Sequence, residues 1–173
     1  MTDASAGNVV PVVRELVLDT LTPVGAYARI ARPPFGFLLE SAVGGERWAR
    51  YSFLGTEPRE AWRYRGRAME RWTPGTGWRP AGTTDDPLAH LATLVRGREP
   101  VRHPDLPPFT GGAVVCLGYD LVRSIERLPG PPPDTLGVPD AVVMITDTVI
   151  ALDNLKGRAT LVSSIEVPPG TDA

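Results

Sequence analysis

Residues 35–60 read FGFLLESAVGGERWARYSFLGTEPRE, and their pattern decides the fold. Two short apolar runs, Phe37-Leu38-Leu39 and Tyr51-Ser52-Phe53-Leu54, flank a Gly44-Gly45 pair. Apolar runs of this length bounded by glycines predict paired strands rather than a helix. Glu40 and Ser41 stand where the first run ends, and Arg47 and Arg50 follow the turn. Pairing the runs brings an acid, a hydroxyl and a guanidinium to one end of a small sheet. Such a group suits an amino acid, because carboxylate and hydroxyl accept from an ammonium while a guanidinium takes a carboxylate. The same residues also suit a solvated hairpin whose Glu and Arg pair in water, with little energetic consequence. Both readings stay open at this level.

Upstream, residues 1–8 predict a flexible tail, and Val9 to Leu18, rich in Val and Leu, a strand. Thr22-Pro23 supplies an N-cap and a first-turn proline. The helix that follows places Val24, Tyr27, Ala28 and Ala31 on one face, and Pro33-Pro34 ends it. Downstream, Glu60–Arg65 and Ala68–Trp72 predict a hairpin turning at Gly66. The tryptophans between residues 48 and 78 are read as cross-strand packing rather than a ligand box. Trp78 is placed in a loop. Asp86-Pro87 opens a second helix with Leu88, Leu91, Leu94 and Val95 inward, His90 on the solvated side and Gly97 at its end.

Phe109–Gly118 predicts a strand whose Gly111-Gly112 start admits a close backbone approach. Cys116 within it is expected to be a small buried hydrophobe. Tyr119-Asp120 opens a third helix with Leu121, Val122, Ile125 and Leu128 on its inner face, and 129–139 is a proline-rich loop. Ala141–Leu152 predicts one long strand. Asp153-Asn154 and Gly157 supply a turn. Arg158–Glu166 returns as a strand with Ala159, Leu161, Ser163 and Ile165 on one side, and 168–173 is a tail. The sum, about eight strands and about three helices joined mainly as hairpins, predicts an α+β fold with a mostly antiparallel sheet.

Composition narrows the function. The 173 residues suit one ordinary domain. A 42% apolar share and a net charge of -2 carry no basic stripe, so no nucleic acid is expected. One cysteine excludes an internal disulfide and a cysteine-built zinc site. His90 and His103 lack a third ligand at metal spacing. No apolar run approaches the roughly 20 residues that span a bilayer, and the polar MTDASAGN start lacks a signal-peptide core. The expectation is a cytoplasmic protein with no membrane partner. No Ser-His-Asp arrangement, phosphate loop or metal cluster is present, so no catalytic residue is assigned.

Three stretches carry a family likeness. LLES with ERWARYSFLGTEP, PFTGGAVVCLGYDLVRSIERL at 108–128, and VVRELVLDTLTPVGAYARI at 12–30 together resemble the N-terminal region of anthranilate synthase component I and of its relative aminodeoxychorismate synthase component I. The resemblance implies that residues 9–167 form one half of a two-domain α/β/β/α sandwich. It also implies that the chorismate-binding catalytic domain, with its Mg2+, lies outside this chain, which needs no cofactor of its own. Whether the chain counts as an enzyme by itself stays open.

The implied role is regulatory, in tryptophan biosynthesis. In the family, L-tryptophan binds a site to which the LLES motif contributes, so Ser41, Glu40, Leu39 and Arg50 are the implied ligand-binding residues. The implied partners are L-tryptophan as effector, the chorismate-binding domain or chain, and a glutamine amidotransferase subunit. The alternatives are the N-terminal domain of aminodeoxychorismate synthase component I, which serves folate biosynthesis and whose similar pocket can hold tryptophan structurally without feedback, and an interaction module that binds no ligand.

Overall fold

The computed structural model describes residues 7–17, 21–40, 50–130 and 133–168. The Gly44-Gly45 turn, Ser41 and Arg47 lie outside the described residues, as do most of the two predicted tails. The chain divides into two compact units.

The first unit comprises Met1–Pro58, Gly97–Gly112 and Thr146–Ala173. Its strands are β1 (Val9–Val17), β2 (Gly36–Leu39), β3 (Tyr51–Thr56), β9 (Thr148–Asp153) and β10 (Arg158–Glu166), in the order β1-β10-β9-β3-β2. Every pairing among them is antiparallel. Helix α1 (Pro23–Ile30) starts as its sequence dictates, with Thr22 Oγ1 accepting the Gly25 N–H at 3.1 Å. Ala26, Leu54, Leu152 and Ala159 form a core with Leu21, Tyr27, Ile30 and Leu38 packed around it.

Two faces differ from expectation in this unit. The stripe of α1 that faces inward is Ala26, Tyr27 and Ile30, while Val24 is 59% exposed. The predicted stripe was rotated by about one residue, because the longer Tyr27 and Ile30 side chains fill the space over the sheet that alanines would leave empty. On β10 the deepest residue is Val162, paired with Val149, on the face opposite Ala159 and Leu161. That strand is buried on both faces over its middle, so strict alternation does not describe it.

The second unit comprises Arg59–Arg96 and Ala113–Ile145. Its strands are β4 (Glu60–Arg65), β5 (Ala68–Thr73), β6 (Gly77–Thr83), β7 (Gly112–Leu117) and β8 (Ala141–Thr146), in the order β6-β5-β4-β8-β7. Helix α2 (Pro87–Val95) is capped by Asp86, whose Oδ1 accepts the Ala89 N–H at 2.8 Å. Tyr64, Met69, Leu121, Ala141, Val143 and Ile145 make the core, with Leu88, Leu91 and Leu94 of α2 packed on it.

Several expectations are corrected here. Trp78 lies on β6, opposite Trp72, because Gly75 and Gly77 adopt positive φ and let the chain reverse after Thr73. The run 141–152 is two strands in two sheets, β8 and β9, parted at Asp147. A buried apolar run reads the same whether it is one strand or two, since alternation carries no mark of a sheet change. The third helix is a 3-10 turn at Tyr119–Ser124 that buries Leu121, while Ile125 is 68% exposed. Six residues of this poorer geometry are near the limit such helices reach. Cys116 is exposed, because β7 is an edge strand whose outer residues are left open by the described residues.

His90 is also corrected. It contacts the Trp62 ring edge-on at 4.9 Å between centroids, and its Nδ1 lies 2.7 Å from the Tyr64 hydroxyl. Burial pushes the Tyr64 phenol up to about 12, so it keeps its proton and can donate to an imidazole nitrogen. The Trp62 Nε1 is buried without a hydrogen-bond partner among the described residues.

Gly111 justifies its place. With φ at +138°, a Cβ there would sit 3.0 Å from the Thr146 carbonyl oxygen and 3.5 Å from Ser164 Oγ. The close approach is to a neighbouring strand end, and Ser164 Oγ donates to the Thr110 carbonyl at 2.8 Å beside it.

Candidate functional site

The end of β2 is where the sequence placed an amino-acid site. Leu38 packs under α1, and strand alternation turns Leu39 to the other face of the first unit's sheet. There Leu39 is opposite Phe53 and is 46% exposed, which is high for a leucine in a strand. Phe53 continues into an aromatic row. It stacks on Tyr51 at 5.9 Å and meets Phe109 edge-on at 5.7 Å, and Phe109 meets Phe37 at 6.5 Å. Edge-on and offset contacts of this kind fix ring orientation beyond simple burial.

Phe37 owes its position to a glycine. Opposite it in register is Gly55, where an added Cβ would come within 2.5 Å of the Phe37 ring. The ring therefore lies directly on backbone. Glu40 follows Leu39 and is exposed, while the next residue, Ser41, lies outside the described residues.

Arg50 opens β3 from the opposite strand. Its Nε and Nη2 both donate to Asp153 Oδ2, at 3.0 and 2.6 Å, and its guanidinium lies 4.8 Å over the Tyr51 ring. Asp153 is 10% exposed at its side chain, and its second oxygen accepts the N–H groups of Leu155 and Lys156 at 3.1 Å each. Burial by itself raises the Asp153 carboxyl. The Arg50 hydrogen bond and the two turn N–H groups outweigh that and hold it below the usual carboxylate range. The same hydrogen bond raises Arg50. Burial raises the Tyr51 phenol, helped by the Asp153 charge.

Asn154 completes the corner, with its N–H on the Arg50 carbonyl at 2.8 Å and its Nδ2 on buried Ser52 Oγ at 3.1 Å. Asp153 and Asn154 read as turn residues in the sequence; their role as the anchor of Arg50 was missed. The signal was the apolar pattern of 148–152 running straight into the acid at Asp153.

So Leu39 adjoins the aromatic row through Phe53, Glu40 is exposed just past the end of β2, and Arg50 is tied to an inward-facing carboxylate, with no partner for its Nη1 among the described residues. Apolar body, acid and guanidinium are the elements an amino acid with a large side chain requires. For magnesium the described residues do not fit: no three His, Cys, Asp or Glu side chains converge among them.

No family model matches the chain. Single relatives do. Anthranilate synthase component 1 of Pseudomonas putida is 38% identical over 153 residues, covering 87% of this chain and 31% of that protein. The protein of the same name from Mycobacterium tuberculosis is 38% identical over 174 aligned positions, 98% of this chain and 33% of its own length. Nearly the whole chain is homologous to part of anthranilate synthase component 1. It spans about a third of the length of these curated relatives. The crystal structure of anthranilate synthase component I from Streptococcus pneumoniae shares the fold, with a TM-score of 0.56 at 24% identity over 91% of this chain and 33% of that one. Among the described residues no helix is long and apolar enough to cross a membrane.

Proposed function

We propose that this chain is the regulatory and scaffold part of an anthranilate synthase component 1 system in tryptophan biosynthesis. In this reading it contributes to an L-tryptophan feedback site at the end of β2. Conversion of chorismate to anthranilate, with its magnesium, belongs to a chorismate-binding part, and a glutamine amidotransferase partner supplies ammonia. The observation that carries the reading is the likeness to proteins of that name along 87 to 98% of this chain, which accounts for about a third of their length.

The chemistry of the site agrees with an amino-acid effector. An indole has an apolar face for half-exposed Leu39 and the Phe53–Tyr51 row. Glu40 accepts from the ammonium, Ser41 adds a hydroxyl, and the Nη1 end of Arg50 donates to the carboxylate. Asp153 holds Arg50 in place, so Arg50 needs no reorganisation when a ligand arrives. Inhibition requires that tryptophan bind an inactive arrangement of the assembled enzyme more tightly than the active one. A site shared between this chain and the chorismate-binding part meets that requirement.

Calorimetry tests the reading. L-tryptophan titrated into this chain assembled with its chorismate-binding part gives saturable heat, and Glu40→Ala diminishes it. A flat titration of the assembled protein contradicts the proposal and favours an interaction module that binds no ligand.

A further inference from the structure

The second unit contains a cavity of about 680 Å3, within the size range of small-molecule sites. It opens at the tip of the β4–β5 turn, between the 3-10 helix at 119–124 and residues 133–140. It has no part in the reading proposed for β2.

Its walls are built rather than incidental. Asp140 rivets them: its Oδ2 accepts the Gly66 N–H at 2.6 Å, its carbonyl accepts the Gly118 N–H at 2.7 Å, and its own N–H donates to the Tyr64 carbonyl at 2.8 Å. A Cβ on Gly118 would press within 3.1 Å of the Asp140 carbonyl oxygen. Asp134 Oδ1 folds the opposite wall by accepting the N–H groups of Leu136 and Gly137, at 3.1 and 2.8 Å.

Two features of that wall call for a ligand. Tyr119, Leu136 and Val138 line the cavity and are 86, 81 and 62% exposed. Apolar side chains gathered at one concave place are unlike the single exposed residues any surface carries. The second feature is charge. The lining holds Arg65, Arg67 and Arg123 against Asp85, Asp120, Asp134 and Asp140. Each acid is already engaged: Asp85 by Arg67, Asp120 by Arg123, Asp134 and Asp140 by backbone N–H groups. Arg65 alone among these arginines has no ion pair among the described residues. Glu70 feels its charge, but both Glu70 oxygens hold Arg63. Arg65 is therefore the guanidinium of this lining not paired with an acid among the described residues, and a guanidinium is matched by a carboxylate.

We propose that this cavity binds a small molecule with a carboxylate and an apolar, ring-sized body, the carboxylate on Arg65 and the body against Tyr119, Leu136 and Val138. The test follows amide chemical shifts of the full 173-residue chain as 4-phenylbutyrate is added, with 4-phenylbutyramide as the uncharged control. The expected result is saturable shifts at millimolar concentration, confined to residues 65–67, 119–124 and 133–140. Arg65→Gln weakens binding by about tenfold or more, while Arg79→Gln, which removes an exposed arginine outside the cavity, leaves it unchanged. Absence of saturable shifts overturns the assignment, as does equal binding of the amide or indifference to Arg65→Gln.

Discussion

Asp153 shows how one side chain organises the corner of the first unit. Its folded carboxyl sits below its unfolded value, so its contribution to stability is present at neutral pH and is lost as pH falls below the ordinary carboxylate value toward the folded one. Asp153→Asn should lower stability by about 1–3 kcal/mol at pH 7, because Arg50 loses a charged acceptor. Urea melts at pH 7 and pH 3 check this: the gap between variant and parent narrows at the lower pH. Gly55 is the other decisive residue. Gly55→Ala forces its methyl into the Phe37 ring, for a loss of about 1–3 kcal/mol by the same measurement. Neither effect was legible in the sequence. Asp153 was one turn former among several, and Gly55 stood in an apolar run with nothing to mark which ring lies on it.

The elements that announced themselves are those with local signals. Thr22-Pro23 and Asp86-Pro87 cap helices in the structure as their sequence requires, since a cap is made within three residues. Asp86→Ala should cost about 1 kcal/mol, read as a lower urea midpoint with the slope unchanged. The Phe37–Leu39 and Tyr51–Leu54 pairing is present as β2 and β3, in a register that sets Leu39 against Phe53. What failed were inferences that depend on distant partners. His90 was put in solvent because α2 has its leucines elsewhere, yet Tyr64 and Trp62 arrive from β4 to meet it. Cys116 was put in a core because its neighbours are apolar, yet β7 is an edge strand. The break at Asp147 depends on which sheet each half joins, and that choice is tertiary.

At the scale of the whole chain, the α+β class and mostly antiparallel pairing were legible from run lengths and turn residues. The likeness to anthranilate synthase component 1 was legible from three ordered motifs, and the curated relatives bear it out along nearly the whole chain. In the reading proposed above, this chain completes an effector site and bond-making lies in the chorismate-binding part. Tryptophan inhibition of the assembled enzyme carrying Ser41→Ala tests it. Loss of one hydrogen bond to a charged ligand group predicts about a tenfold rise in the tryptophan concentration for half-inhibition, with turnover in the absence of tryptophan preserved. Unchanged sensitivity to tryptophan, or collapse of the uninhibited turnover, contradicts that reading.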